Sequence, residues 1–212
     1  MKTKTSISKK ETLTYSAAAT AAMVAGSQQA DALIVYSGIQ DLVISQGAAQ
    51  ILDLNGDSAS DLSFKNYIFG GGNYQGANIY GTGKAVGFTT GLNYMSLLSA
   101  GDDVSFTDPN YSTFPFSLSM AYGNNPDSEF DTASNGYVGL FFTSSSVNHA
   151  AWIRVSIDND AGTFTIHDWA YENVSGVDIQ AGAIPEPANL GLLASGAAGL
   201  MALRKRRRQA AA

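Results

Sequence analysis

The sequence predicts an all-β body, a β-sandwich or jelly roll, between an N-terminal signal peptide and a single C-terminal membrane helix. Three observations lead there. From residue 33 to 182, short runs rich in Val, Ile, Phe, Tyr and Thr alternate with clusters of Gly, Asn and Asp. That is the punctuation of strands and turns. No long window of this stretch has helical periodicity. Charged residues make up only 14% of the chain, against 22 glycines, too few charges for a typical helical protein, while the apolar content is too high for disorder.

The front end comes first. Lys2, Lys4, Lys9 and Lys10 precede a mildly apolar stretch from Leu13 to Ala25, and then Ala30-Asp31-Ala32. Basic, apolar and small-x-small segments in that order form a secretory signal peptide. Cleavage after Ala32 gives residues 1–32 as the leader and Leu33 as the mature start.

The body, residues 33–182, follows. Strands are predicted at Leu33–Tyr36, Leu42–Ser45, Asp61–Phe69, Ala77–Tyr80, Ala85–Thr89, Phe114–Met120, Tyr137–Thr143, Ala150–Ile157 and Thr163–Tyr171. Turn-rich pieces separate them, among them Gly70–Gly76, Ala100–Asp103 and Tyr122–Gly136. Gly91–Leu98 is the one short helix expected. The last hairpin is the plainest: two alternating runs flank Asp158-Asn159-Asp160-Ala161-Gly162, so Ile153, Val155, Ile157, Phe164 and Ile166 share a face. If Ile157 opposes Phe164, Arg154 opposes His167 and Trp152 opposes Trp169, all four on the other face.

The tail, residues 183–212, closes the chain. Ala188 to Leu203 is a charge-free run of 16 residues. As a helix it would reach roughly 24 Å, marginal for a bilayer core of about 30 Å. Arg204, Lys205, Arg206, Arg207 and Arg208 follow and should remain cytoplasmic, with the body on the other side. Pro185-Glu186-Pro187 precedes the run, and its prolines keep a helix from starting earlier.

Charge and composition exclude some functions. Residues 33–184 hold 15 of the 18 acids and three of the 12 basic residues, a net charge of −12. Such a body repels nucleic acid. The chain has no cysteine and two histidines. It therefore has no disulfide or thiolate site and little for zinc.

Two groups of residues are candidates for chemistry. Asp53, Asn55, Asp57 and Asp61 occupy positions 1, 3, 5 and 9 of a short loop, oxygen ligands in a spacing that suits Ca²⁺. Ser58 stands where a glycine usually makes the sharp turn, and Phe64 where an EF-hand has its Glu. The alternative is an Asx-rich turn whose side chains cap backbone groups. Trp152, Arg154, His167 and Trp169 would form a flat aromatic platform for a glycan if their face is open. They are core if a second layer covers it. A hydrolase would need a nucleophile with a base, and no local motif such as G-x-S-x-G marks one.

Pro185-Glu186-Pro187, the apolar run and the basic end together resemble the PEP-CTERM sorting signal of Gram-negative bacteria. The likeness covers residues 185–212. It implies recognition and cleavage near the Pro-Glu-Pro by an exosortase, after signal peptidase has removed the leader, in bacteria that make exopolysaccharide. The same kind of tail is also known as an ice-binding-protein C-terminal region, a label that does not imply ice binding. Tyr137–Phe141, His149–Val155 and Ile166–Glu172 are similar to strands of secreted PEP-CTERM proteins of unknown function. No activity comes with the resemblance. It implies an exported, non-enzymatic surface or matrix protein, with an exopolysaccharide-binding module as the alternative.

Overall fold

The computed structural model describes residues 33–107, 112–123 and 125–185. The predicted signal peptide, Glu186 and Pro187, the 188–203 run and the basic cluster Arg204–Arg208 lie outside the described residues. Among the described residues no helix is long and apolar enough to cross a membrane.

The body is all-β. Its strands are β1 (Ile34–Tyr36), β2 (Leu42–Val43), β3 (Ala48–Leu52), β4 (Leu62–Phe69), β5 (Gly72–Ile79), β6 (Lys84–Thr89) and β7 (Asn93–Met95). Then come β8 (Asp103–Val104), β9 (Ser112–Phe114), β10 (Ser117–Tyr122), β11 (Gly136–Ser144), β12 (Val147–Asp158), β13 (Thr163–Glu172) and β14 (Ile179–Gln180). Twelve of them form one sheet in the order β1-β13-β12-β11-β6-β7-β10-β5-β4-β3, with β2 also on β13 and β9 also on β6. The pairings are antiparallel except β7 with β10. In place of the two separate sheets of a sandwich, one sheet curls until its two halves face each other. Phe64 of β4 and Phe164 of β13 meet edge to face, ring centres 5.3 Å apart.

Alternation along the strands fills the space inside the curl. Leu62, Phe64, Ala77, Leu118, Leu140, Ile153, Val155 and Ile166 are buried in one cluster, every second residue pointing inward as the pleat requires. Asn66 helps to close the curl. Its amide donates across the core to the carbonyls of Ile44 and Gly162, both at 2.8 Å, and its oxygen accepts from Gln75. A polar side chain is retained there because its bonds join the β4 end of the sheet to the β13 end.

A second, smaller cluster lies on the outer face of β11, β12 and β13. There the two-stranded sheet of β8 and β14 lays Val104 and Ile179 over Phe141, Trp152 and Ala170.

Some predicted elements change. Gly91–Leu98 is not a helix: β7 lies there, hydrogen-bonded between β6 and β10. A Cβ on Gly87 would collide with the Tyr94 carbonyl, so glycine lets these strands approach. The Gly70–Gly76 piece is mostly strand. Only Gly70 and Gly71 turn, with φ of 59° and 84°, the left-handed pair of a tight hairpin. The Phe114–Met120 run splits in two around Phe116, whose φ is +70°.

Candidate functional site

The loop between β3 and β4 brings Asp53, Asn55 and Asp57 into one exposed turn. The Asp53 carboxylate accepts the backbone N–H of Gly56 at 2.7 Å, of Asp57 at 3.2 Å and of Ser58 at 2.8 Å. Asn55 accepts from the Asp57 N–H, and Asp57 accepts from the Ala59 N–H. The Asn55 amide bond, with help from Ala59 and Ser144, holds the Asp57 carboxyl below the usual range. Ser58 takes a φ of +70°, so a serine makes the turn that the spacing assigns to glycine. These bonds give the loop the Asx-turn geometry set out above, with no cation needed to shape it.

Asp61 stands apart from that turn. It is 4% exposed, and its carboxylate accepts the Leu54 N–H at 2.7 Å. Burial, and then the Asp53 and Asp57 charges, push its carboxyl up to about 6. Asp53 and Asp57 thus set an unfavourable field at the buried Asp61. No three His, Cys, Asp or Glu side chains among the described residues already stand in metal-holding geometry.

The second candidate group is not a platform. Ile157 does oppose Phe164, but the register shifts between Arg154 and Val155. His167 is the extra residue of a β-bulge. Beyond it Arg154 opposes Asp168, Ile153 opposes Trp169 and Trp152 opposes Ala170. The predicted pairs Arg154–His167 and Trp152–Trp169 are therefore not formed. A one-residue slip exchanges the faces. Trp169 turns inward against the main core, its Nε1 donating to the Leu54 carbonyl. Trp152 turns outward and is covered: it is 2% exposed, its Nε1 donates to the Ala183 carbonyl at 3.0 Å, and Tyr36 and Tyr137 flank its ring. The second layer is the β8–β14 sheet, so Trp152 is core.

The bulge also puts His167 and Asp168 on the same face, where a regular strand would separate them. Arg154 grips Asp168 with two bonds, Nε to Oδ1 at 2.9 Å and a shorter one from Nη2 to Oδ2, and the Tyr36 hydroxyl donates to Oδ2 as well. Burial alone would raise this carboxyl. The bonds from Arg154 and Tyr36 outweigh it and hold Asp168 below the usual range. Next to it, Ser156 Oγ lies 2.8 Å from His167 Nε2, and His167 Nδ1 lies 2.7 Å from Asp41 Oδ1. The order Ser, His, Asp is that of an acyl-transfer triad. Two features weigh against that use. Ser156 Oγ accepts the Asn135 backbone N–H at 3.0 Å, so the nearby donor is spent on the serine itself. The Asp41 side chain is 62% exposed, which leaves the His–Asp bond in water.

Sequence reasoning missed Asp41, Ser156 and Asp168. The bulge turns Asp168 onto the face of Arg154, while the pairing of β2 with β13 brings Asp41, 126 residues away in sequence, to His167. No known protein family, curated protein or solved structure matches the chain.

Proposed function

We propose that this is an exported cell-surface or extracellular-matrix protein with a structural, non-enzymatic role, sorted through a PEP-CTERM-like tail. Residues 1–32 serve as the leader for signal peptidase. Residues 183–212 hold the precursor in the inner membrane until an exosortase cuts near Pro185-Glu186-Pro187. The observation that carries this reading is the tail itself: the Pro-Glu-Pro, the 16-residue uncharged run and five consecutive basic residues, in that order. The fold is compatible with it. Among the described residues the last contact of the body is the Trp152 bond to Ala183, and Ile184 and Pro185 beyond it are exposed.

Calcium belongs to the same proposal. Asp53, Asn55, Asp57 and Asp61 would hold it, and its charge would offset the mutual repulsion of the three carboxylates. In a domain without disulfides, such an ion fastens the β3–β4 loop.

The test is the intact mass and location of the mature protein in its native host. A mass lacking residues 1–32 and the tail after about Pro187, found in the surface or medium fraction, is the expected result. A full-length C-terminus in the inner membrane would overturn the sorting reading. A hydrolase reading has one observation on its side, the Ser156–His167–Asp41 chain. Ester turnover lost in Ser156→Ala, with folding intact, would favour it.

A further inference from the structure

At the turn joining β4 to β5, the rings of Phe69, Tyr74 and Tyr122 form a triangle with centres 5.9 to 6.3 Å apart. Phe69 and its neighbour Ile68 are each 65% exposed, an unusual display for large apolar groups at one sheet corner. Two open cavities meet there, and Ile68 lines both. The first, of about 720 Å³, is floored by the Gly70–Gly72 backbone and walled by Tyr122, Asn125 and Asp160. The second, of about 620 Å³, runs along the outer face of the sheet past Tyr67, Phe69, Tyr74 and Lys65. Each is within the usual size of a small-molecule site, and Ile68 stands between them.

The backbone is shaped to hold the rings in place. A Cβ on Gly76 would collide with the Tyr74 hydroxyl, and one on Gly70 would lie 2.6 Å from the Tyr122 hydroxyl. The two glycines thus let two tyrosines lie down against the chain. None of the hydrogen bonds among the described residues uses the hydroxyls of Tyr67, Tyr74 or Tyr122.

We infer that this pair of cavities binds a neutral polysaccharide chain. Ring faces stack on the C–H faces of sugars, and phenol hydroxyls and amides at the rims of the rings match sugar hydroxyls. Its walls carry one cation, Lys65, and one anion, Asp160, so it offers no basic cluster for a polyanion. The acidic body around it would repel one. The inference goes beyond the sorting reading and stands without it, because binding is a property of the folded body.

The experiment is affinity electrophoresis of the full-length chain in native gels containing hydroxyethylcellulose, glucomannan, galactan or dextran, with alginate as the polyanion. Retardation in at least one neutral gel is expected. It should weaken at least tenfold in Phe69→Ala, an exposed position whose loss should leave the melting temperature unchanged, and further in Phe69→Ala/Tyr74→Ala. Val43→Ala, exposed on a distant strand, should bind as the parent does. No retardation in any neutral gel would overturn the proposal. So would retardation that Phe69→Ala leaves intact, or retardation confined to alginate and lost in Lys65→Ala.

Discussion

Two aspartates of this protein are almost equally buried and stand in opposite electrostatic conditions. Asp168 is 2% exposed and Asp61 is 4% exposed. Asp168 faces a guanidinium and a phenol, and its carboxyl is held below the usual range. Asp61 has one backbone N–H for a partner and two further carboxylates nearby, and its carboxyl is pushed up to about 6. Burial is the same and the neighbours differ, so partners decide whether a buried charge is tolerated. One site contains its own cation, Arg154. The other has two carboxylates as its nearest charges.

The largest expected effect comes from breaking the paired site. Arg154→Met should cost about 3 kcal/mol at neutral pH, read by urea unfolding, because it strands a buried carboxylate. Arg154→Met/Asp168→Asn should recover much of that loss, and a cycle through both single variants would measure the coupling. Strictly additive losses would mean that the pair is not coupled.

Calcium should do for the other site what Arg154 does for the first. Chelation with about 1 mM EDTA is expected to lower the melting temperature by several degrees, and excess Ca²⁺ to restore it, as mass action requires for an ion bound only by the native state. A melting temperature indifferent to EDTA would reduce the loop to a turn.

Without calcium, the two aspartates should pull the pH dependence in opposite directions. For Asp61 the folded value lies above the unfolded one, so ionisation costs stability above about 6, and the cost fades as pH falls toward 4. For Asp168 the folded value is lowered, so its contribution is complete above about 4 and is lost on further acidification. Asp61→Asn should therefore stabilise the calcium-free protein by about 1 kcal/mol at pH 7 and by little near pH 4. The smallest effect is expected at Ser58. Its φ of +70° favours glycine, and Ser58→Gly should gain about 0.5–1 kcal/mol.

The long alternating strands were legible in the sequence because their pattern is local. The β12–β13 hairpin is set by its two runs and the Gly162 turn, and its first pairs fall where the alternation puts them. What the sequence hid was the bulge. In Ile-His-Asp-Trp-Ala-Tyr-Glu, either parity can be read, since Trp169 and Tyr171 can serve as core or as surface. Only packing against Leu54 on one side and Ala183 on the other decides it. Short strands such as β7 and β8 were hidden for a related reason. Two or three residues are too few to show an alternation, and the neighbours that pair with them set the outcome. At the Asp53–Asp61 loop, the Asx turn was legible from its residue types and spacing. The burial of Asp61 was not, because it depends on how β4 enters the sheet.

The order of strands in the large sheet also governs when the protein can fold. β1 near the start of the body pairs with the far end of β13, Ile34 with Glu172, so the first strand finds its place only after nearly the whole body has emerged. Contacts of such sequence separation make closure slow and leave the early chain without a stable structure of its own. If the chain is exported as proposed, that delay would help: a segment still inside a membrane pore would have nothing yet to fold against.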